Sequence, residues 1–326
     1  MSILPRNKDN CPTLLLAPME GLGDVVFRKA MATIGGFDQA CTEFLRVPMN
    51  AHVPSLAKKY NPEDTYPIPQ AAQLMGSDPV LMAEMAQAVA ERGAPRIDLN
   101  CGCPSNTVTG RGAGSSLLKD PELLHKVAKA MVDAVTIPVT AKLRSGFEDT
   151  SLFKENILAA QESGIKFLTL HPRTKVDGYG PPAKWEYIAA AKSLLKIPLV
   201  GNGDILNVDD ALRMLKQTQC DALMIGRGSV ANPFIFHQIK AHFSGIKYEP
   251  KWEQFHHFIM TFYQGIIHLP ERNQINKLKS VFTCLFKASE TLQSKRQQML
   301  TTTYQDGAAF LSHCIPILKD DWQYSA

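Results

Sequence analysis

The stretch Thr13-Leu14-Leu15-Leu16-Ala17-Pro18-Met19-Glu20-Gly21 carries the choice between two α/β folds. Residues 13–17 form a short, almost continuous apolar run, the mark of a parallel strand buried on both faces. In an open doubly wound sheet the first strand leads into a glycine-rich turn of the form G-x-G-x-x-G. Here it leads into Pro18-Met19-Glu20-Gly21, which has no such turn. Further runs of the same kind lie at 39–43, 70–74, 96–100, 139–143, 167–170, 199–201 and 222–225. Segments of helical period separate them, including 79–92, 121–135, 152–163, 185–195 and 208–216. Asp78 before Pro79 and Asp120 before Pro121 read as N-caps followed by proline at the first helical position. Eight strands, each with its helix, predict a (β/α)8 TIM barrel.

After Phe243 this rhythm stops. Residues 244–250 read as a linker, and 252–269, 276–286, 290–300 and 304–315 as helices. The expectation is a barrel over 1–243 that carries the catalytic site, followed by a small helical domain over 244–326. A length of 326 residues suits that division. No run of about 18 uncharged apolar residues suggests a membrane span. Residues 1–12 lack the apolar stretch of a signal peptide, so a cytoplasmic protein is expected; a monomer is expected as well. The 7 cysteines are scattered and odd in number, as free thiols would be. The net charge of +4 is mild, but 10 Lys or Arg face 7 Asp or Glu from His237 onward. That basic tail can be a solvated surface or can contact phosphates.

Barrel active sites are built at the C-terminal ends of the strands. Read in order, those ends carry Pro18-Met19-Glu20, Glu43, Gln73, Asn100-Cys101-Gly102-Cys103, Lys142 with Arg144, His171 with Arg173, Asn202-Gly203-Asp204 and Gly226-Arg227-Gly228. Glycines after strands seven and eight make a phosphate site in many barrels, because bare backbone N–H groups can approach the anion. Arg227 adds a charged fork. The phosphate can belong to a sugar phosphate or to flavin mononucleotide. Lys142 and Gln73 suit the edges of a flavin ring, although Lys142 equally suits a Schiff base. Cys101 and Cys103 offer a proton donor, a nucleophile or merely packed thiols. No second cluster completes a metal site around them, and His256, His257 and His268 read as solvated or packed. Residues 110–114, rich in glycine, read as a loop over the site.

Together these motifs resemble the tRNA-dihydrouridine synthases, from about Leu14 into the helical tail. The resemblance rests on residues 16–21, Thr42-Glu43-Phe44, Gln73-Leu74-Met75-Gly76, Asn100-Cys101-Gly102-Cys103-Pro104-Ser105, Lys142-Leu143-Arg144, His171-Pro172-Arg173-Thr174, Gly201-Asn202-Gly203-Asp204 and Ile225-Gly226-Arg227-Gly228. Met19-Glu20-Gly21, residues 43–47 and the doubled cysteine motif are most similar to the bacterial C type, which modifies uridine 16. The resemblance implies FMN as cofactor, NADPH as electron donor, tRNA as partner and no metal. It implies Pro18, Met19, Glu20, Gln73, Lys142, His171, Asn202, Gly203, Asp204, Gly226 and Arg227 as flavin contacts, and Cys103 as the proton donor to uracil C5. It further implies Asn100, Arg144 and Tyr179 facing the target nucleotide, with Arg46, Lys277 and Lys279 orienting the tRNA. Lys277 stands where the C type has arginine. Two rival readings within the enzymes are a flavin barrel reducing or oxidising a free pyrimidine, like dihydroorotate dehydrogenase, and a phosphate-binding aldolase or isomerase using Lys142. A third is a non-redox RNA-binding protein.

Overall fold

A computed structural model of the protein describes residues 3–105, 112–180, 182–287 and 289–322. Residues 110 and 111 of the expected glycine loop lie outside these. The strands are β1 (Leu14–Leu16), β2 (Gln39–Cys41), β3 (Leu45–Arg46), β4 (Gln70–Met75), β5 (Ile97–Cys101), β6 (Val139–Gly146), β7 (Leu168–Thr174), β8 (Leu199–Asn202) and β9 (Ala222–Ile225). All pairings are parallel, and β1 closes the sheet by pairing with both β2 and β9. This is the expected eight-stranded barrel among the described residues, with β2 and β3 sharing one staff.

That shared staff departs from the expected strand over 39–43. Ala40 and Cys41 of β2 pair with Gln70 and Ala71, while Leu45 and Arg46 of β3 pair with Leu74 and Met75. Between them the hydroxyl of Thr42 accepts the N–H of Gln73 at 3.0 Å. Glu43 then turns inward, and its carboxylate accepts the N–H of Gly21 at 2.6 Å. The chain leaves the ladder because its polar side chains bond to neighbouring loops. Strands β6 and β7 run longer than expected and carry Arg144 and His171 within the ladder.

Helices cover the outside of the barrel. Asp78 and Asp120 cap Pro79–Glu91 and Pro121–Ala134 as expected, accepting from Leu81 N and Leu123 N. The tail forms helices Trp252–Ile266, Glu271–Leu285, Glu290–Thr301 and Gly307–Asp320. The second starts earlier than the expected 276 because Pro270 opens it ahead of a polar first turn. The last starts later than the expected 304 and runs past 315 through Pro316 to Asp320. Buried Phe310, Leu311, Cys314 and Leu318 hold that helix together although proline removes one backbone hydrogen bond.

The tail shares its core with the barrel's outer layer. Phe27 meets Phe258 and Phe262 edge-on, with ring centroids 6.2 and 6.5 Å apart. A Cβ on Gly265 would lie 2.4 Å from Val26, so glycine sets how closely the two helices approach. Lys277 pairs with Asp24, the N-cap of helix Val25–Ile34. Among the described residues no helix is long and apolar enough to cross a membrane.

Candidate active site

The C-terminal rim of the barrel opens into a cavity of about 580 Å3. Its lining brings together Pro18, Met19, Glu20, Gln73, Asn100, Cys103, Lys142, Arg144, His171, Tyr179, Asn202 and Arg227. These come from loops and strands spread along the chain from Pro18 to Arg227. Gly203, Asp204 and Gly226 line an adjoining hollow of about 40 Å3 that also touches Arg227. Arg46, Lys277 and Lys279 line neither.

A hydrogen-bonded chain fixes the floor. Asp98 is fully buried on β5, and its carboxylate accepts from Gln73 Nε2 at 2.8 Å and from the hydroxyl of Thr140 at 2.6 Å. Arg96 stands 3.6 Å from the same carboxylate. The other end of the Gln73 amide accepts from Asn100 Nδ2 at 2.8 Å. The Asn100 oxygen accepts the N–H of Gly102 and of Cys103, both at 2.9 Å. The amide of Gln73 is thereby held at both ends, and the cysteine loop is tied to a buried ion pair. Sequence reading passed over Asp98. A carboxylate two residues before Asn100 on a doubly buried strand was the available signal, since the two share a face.

The two cysteines part company. Cys101 sits in the main hydrophobic core with no exposure, and burial pushes its thiol up. Cys103 lines the cavity, beside Met75, Ala113 and Phe44. Burial, with the Glu20 carboxylate adding to it, pushes the Cys103 thiol up to about 11, so it stays protonated at neutral pH. Its Sγ donates to Glu20 Oε2 at 3.4 Å.

Cations ring the other side. Lys142 is half-buried, and among the described residues its ammonium has no hydrogen-bond or ion-pair partner. Burial and then the nearby Arg144 lower its pKa to about 8. His171 is held far below its ordinary range, first by burial and then by the surrounding Lys142, Arg144, Arg173 and Arg227. Its Nε2 faces Arg173 Nη1 at 3.2 Å. A guanidinium only donates, so the imidazole is neutral with its proton on Nδ1. Arg144 donates to the carbonyls of Gly102, Thr174 and Gly178, each at 2.8 Å, which braces the cysteine loop against the loop after β7. Exposed Tyr179 lies between Arg144 and Arg227, whose guanidinium carbons are 5.2 and 4.6 Å from its ring centre.

The hollow beside Arg227 is shaped by backbone. Gly203 has φ of 115° and Asp204 of 54°. A Cβ on Gly228 would lie 2.0 Å from the Ile205 carbonyl, so only glycine fits there. The Asp204 carboxylate is engaged by Arg173 Nη2 and the N–H of Ala183, both at 2.7 Å. It would repel an anion, so what this residue can offer one is its N–H. Arg227 is exposed and has no carboxylate partner among the described residues.

These features suit a flavin that carries a phosphate. The cavity offers an unpaired cation and a doubly anchored amide, and the glycine-lined hollow adjoining it has a guanidinium that no carboxylate engages among the described residues. No group of three or more potential metal ligands occurs among the described residues.

The two lysines expected to meet tRNA lie on the tail and are engaged. Lys277 pairs with Asp24, and Lys279 donates to the carbonyls of Leu300 and Thr302 at 2.6 and 3.2 Å.

Residues 15–316 match the family model for dihydrouridine synthase. A tRNA-dihydrouridine(16) synthase of Shewanella oneidensis is 42% identical over 239 residues, covering 70% of this chain and 75% of that one. Its namesake in Pseudomonas syringae pv. tomato is 41% identical over 263 residues, covering 78% and 83%. Among solved structures, histamine dehydrogenase from Rhizobium sp. 4-9 superposes with a TM-score of 0.54 at 17% identity, over 72% of this chain and 46% of that one. A 2-naphthoyl-CoA reductase does so with 0.52 at 13% identity, over 72% and 50%. At such identities these two show the barrel fold alone.

Proposed function

The chain belongs to the dihydrouridine synthase family, and we propose that it reduces uridine 16 of tRNA to 5,6-dihydrouridine, with FMN as its flavin and NADPH as electron donor. The observation that carries this reading is the pairing, across one cavity, of the protonated Cys103 thiol with the unpartnered Lys142 ammonium.

Lys142 and Gln73 would hold the flavin ring, and the backbone at Gly203, Asp204 and Gly226 with Arg227 would hold its phosphate. Bound there, FMN would supply the hydride that uracil C6 requires. Cys103 holds the proton for C5, and its raised pKa keeps that proton in place until the carbanion-like carbon develops. Asn100 and Arg144 set the position of the thiol from below and from the side. Neutral His171 contributes no charge of its own among four cations, and its Nδ1–H is available to a ligand carbonyl.

The base must leave its stack to reach this depth. A second hollow of about 860 Å3 runs from Arg227 to Lys287 of the tail, across the seam between barrel and helices. We place the tRNA along it, with residues 244–326 as the recognition part. Arg46, Lys277 and Lys279, which do not line this hollow, would orient the tRNA from outside it, the two lysines through the protein bonds they already make. Such an enzyme works in the cytoplasm, where tRNA is.

Gene deletion followed by mapping of dihydrouridine in bulk tRNA tests the reading. Loss at position 16 alone is expected. Loss at 17 or 20 with 16 intact would overturn the position and leave the enzyme class. The protein should also purify yellow and release FMN on heating. A colourless protein that gains no flavin absorbance when FMN is added would overturn the cofactor.

A further inference from the structure

The sulfur of Cys103 is closely walled. Phe44, Met75 and Ala113 pack around it, and the residue is only 5% exposed. Once the thiol has given its proton to a substrate, the thiolate needs a replacement, and few neighbours can deliver one. The backbone N–H of Ser105 faces the sulfur but does not ionise. Arg144 faces it too, yet a guanidinium does not give up a proton in proteins, and this one is bound to three carbonyls. Glu20 differs on both counts. Its Oε2 lies 3.4 Å from Sγ, and the residue is exposed to solvent. Among the described residues it is the contact that joins the buried sulfur to bulk water through an ionisable group.

We propose that Glu20 is the proton carrier of this site, returning a solvent proton to Cys103 after each turnover. This rests on Cys103 being the donor to C5. In the first step the S–H bond breaks and the C5–H bond forms, and the sulfur keeps the electron pair as a thiolate. Glu20 takes a proton from hydronium, then its O–H bond breaks as the S–H bond re-forms. The cycle ends with thiol and carboxylate as it began. A carboxylic acid is in general a stronger acid than a thiol, so a proton passed from carboxyl oxygen to thiolate sulfur moves downhill.

Rapid-quench kinetics of the FMN-loaded enzyme with saturating tRNA and NADPH tests the idea. Glu20→Gln should form one dihydrouridine per site in a burst and then slow about 10²-fold, the lower end of what a placed proton-transfer group provides. Raising the concentration of a small buffer acid should restore the slow phase, while the native enzyme shows neither burst nor buffer response. Glu20→Asp, which keeps a carboxyl, should fall between the two. Equal loss in first and later turnovers, with no response to buffer, would overturn the proposal. Cys103→Ala separates the two readings: if it still reduces uridine at the native rate, the role of Cys103 fails, and that of Glu20 with it.

Discussion

The side-chain oxygen of Asn100 accepts the backbone N–H of Cys103 at 2.9 Å, while its amide nitrogen donates to Gln73. One side chain thus sets the distance between the proposed proton donor and the proposed flavin-facing amide. Asn100→Ala removes these two bonds and the one from the N–H of Gly102, and should lower kcat about 10²-fold, the usual cost of misplacing a reacting group by about 1 Å. FMN content should stay near one per chain. Unchanged kcat in a steady-state dihydrouridine assay would show that the cysteine loop holds its shape without Asn100.

Cys103→Ala should keep FMN and tRNA affinity and lose about 10²–10⁴-fold in uridine reduction. Cys101→Ala should act on stability instead, because Cys101 is enclosed in the core. It should cost about 1 kcal/mol of stability and leave the reaction almost intact. Activity assays beside urea unfolding of the two variants separate these outcomes, and an inactive Cys101→Ala that folds normally would reverse the assignment.

Lys142 ties cofactor affinity to pH. Without a ligand its pKa is about 8, below the ordinary 10.5, through burial and Arg144. The unfolded chain therefore binds more protons than the folded one between those values, and stability of the flavin-free protein should rise with pH across that window. FMN binding should weaken as pH rises through about 8, because the ammonium proposed to meet the ring loses its proton. Fluorescence titrations of Lys142→Met should show weaker binding without that slope. An identical slope in the variant would assign it elsewhere.

The pair Lys277–Asp24 joins the tail to the barrel and is partly buried. A double-mutant cycle on Lys277→Ala and Asp24→Ala should return a coupling of about 1 kcal/mol in unfolding free energy. Because the ammonium is already engaged, Lys277→Ala should leave the salt dependence of tRNA binding nearly unchanged. A slope reduced by about one counterion would show that this lysine meets a phosphate directly.

Truncation after residue 243 should give an aggregating or unfolded barrel. Phe27 packs on Phe258 and Phe262, and Phe234 packs on Trp322, so removing the tail exposes a large apolar surface. A soluble, FMN-binding fragment in size-exclusion chromatography would show instead that the barrel folds alone.

The barrel was legible because parallel strands buried on both faces must be apolar throughout, and residues 13–17, 139–143 and 222–225 announce this locally. The N-caps at Asp78 and Asp120 were legible for the same reason, since a cap is satisfied within three residues. Most of the rim was readable too, because barrel topology sends every strand end to one place. Other features depend on what the chain meets after it has folded. The resemblance points to Cys103, but packing supplies the physical difference from Cys101, two residues away, by turning one into the core and the other into the cavity. Asp98 looks like an anomaly in a buried strand until Gln73 and Thr140 arrive from two other strands to join Arg96, its neighbour two residues back, in satisfying it. Glu20 meets Cys103 across 83 positions, and Lys277 meets Asp24 across 253. No local pattern encodes a partner that distant: whether a charge faces solvent, a ligand or another side chain is settled by the closed barrel and the helices packed against it.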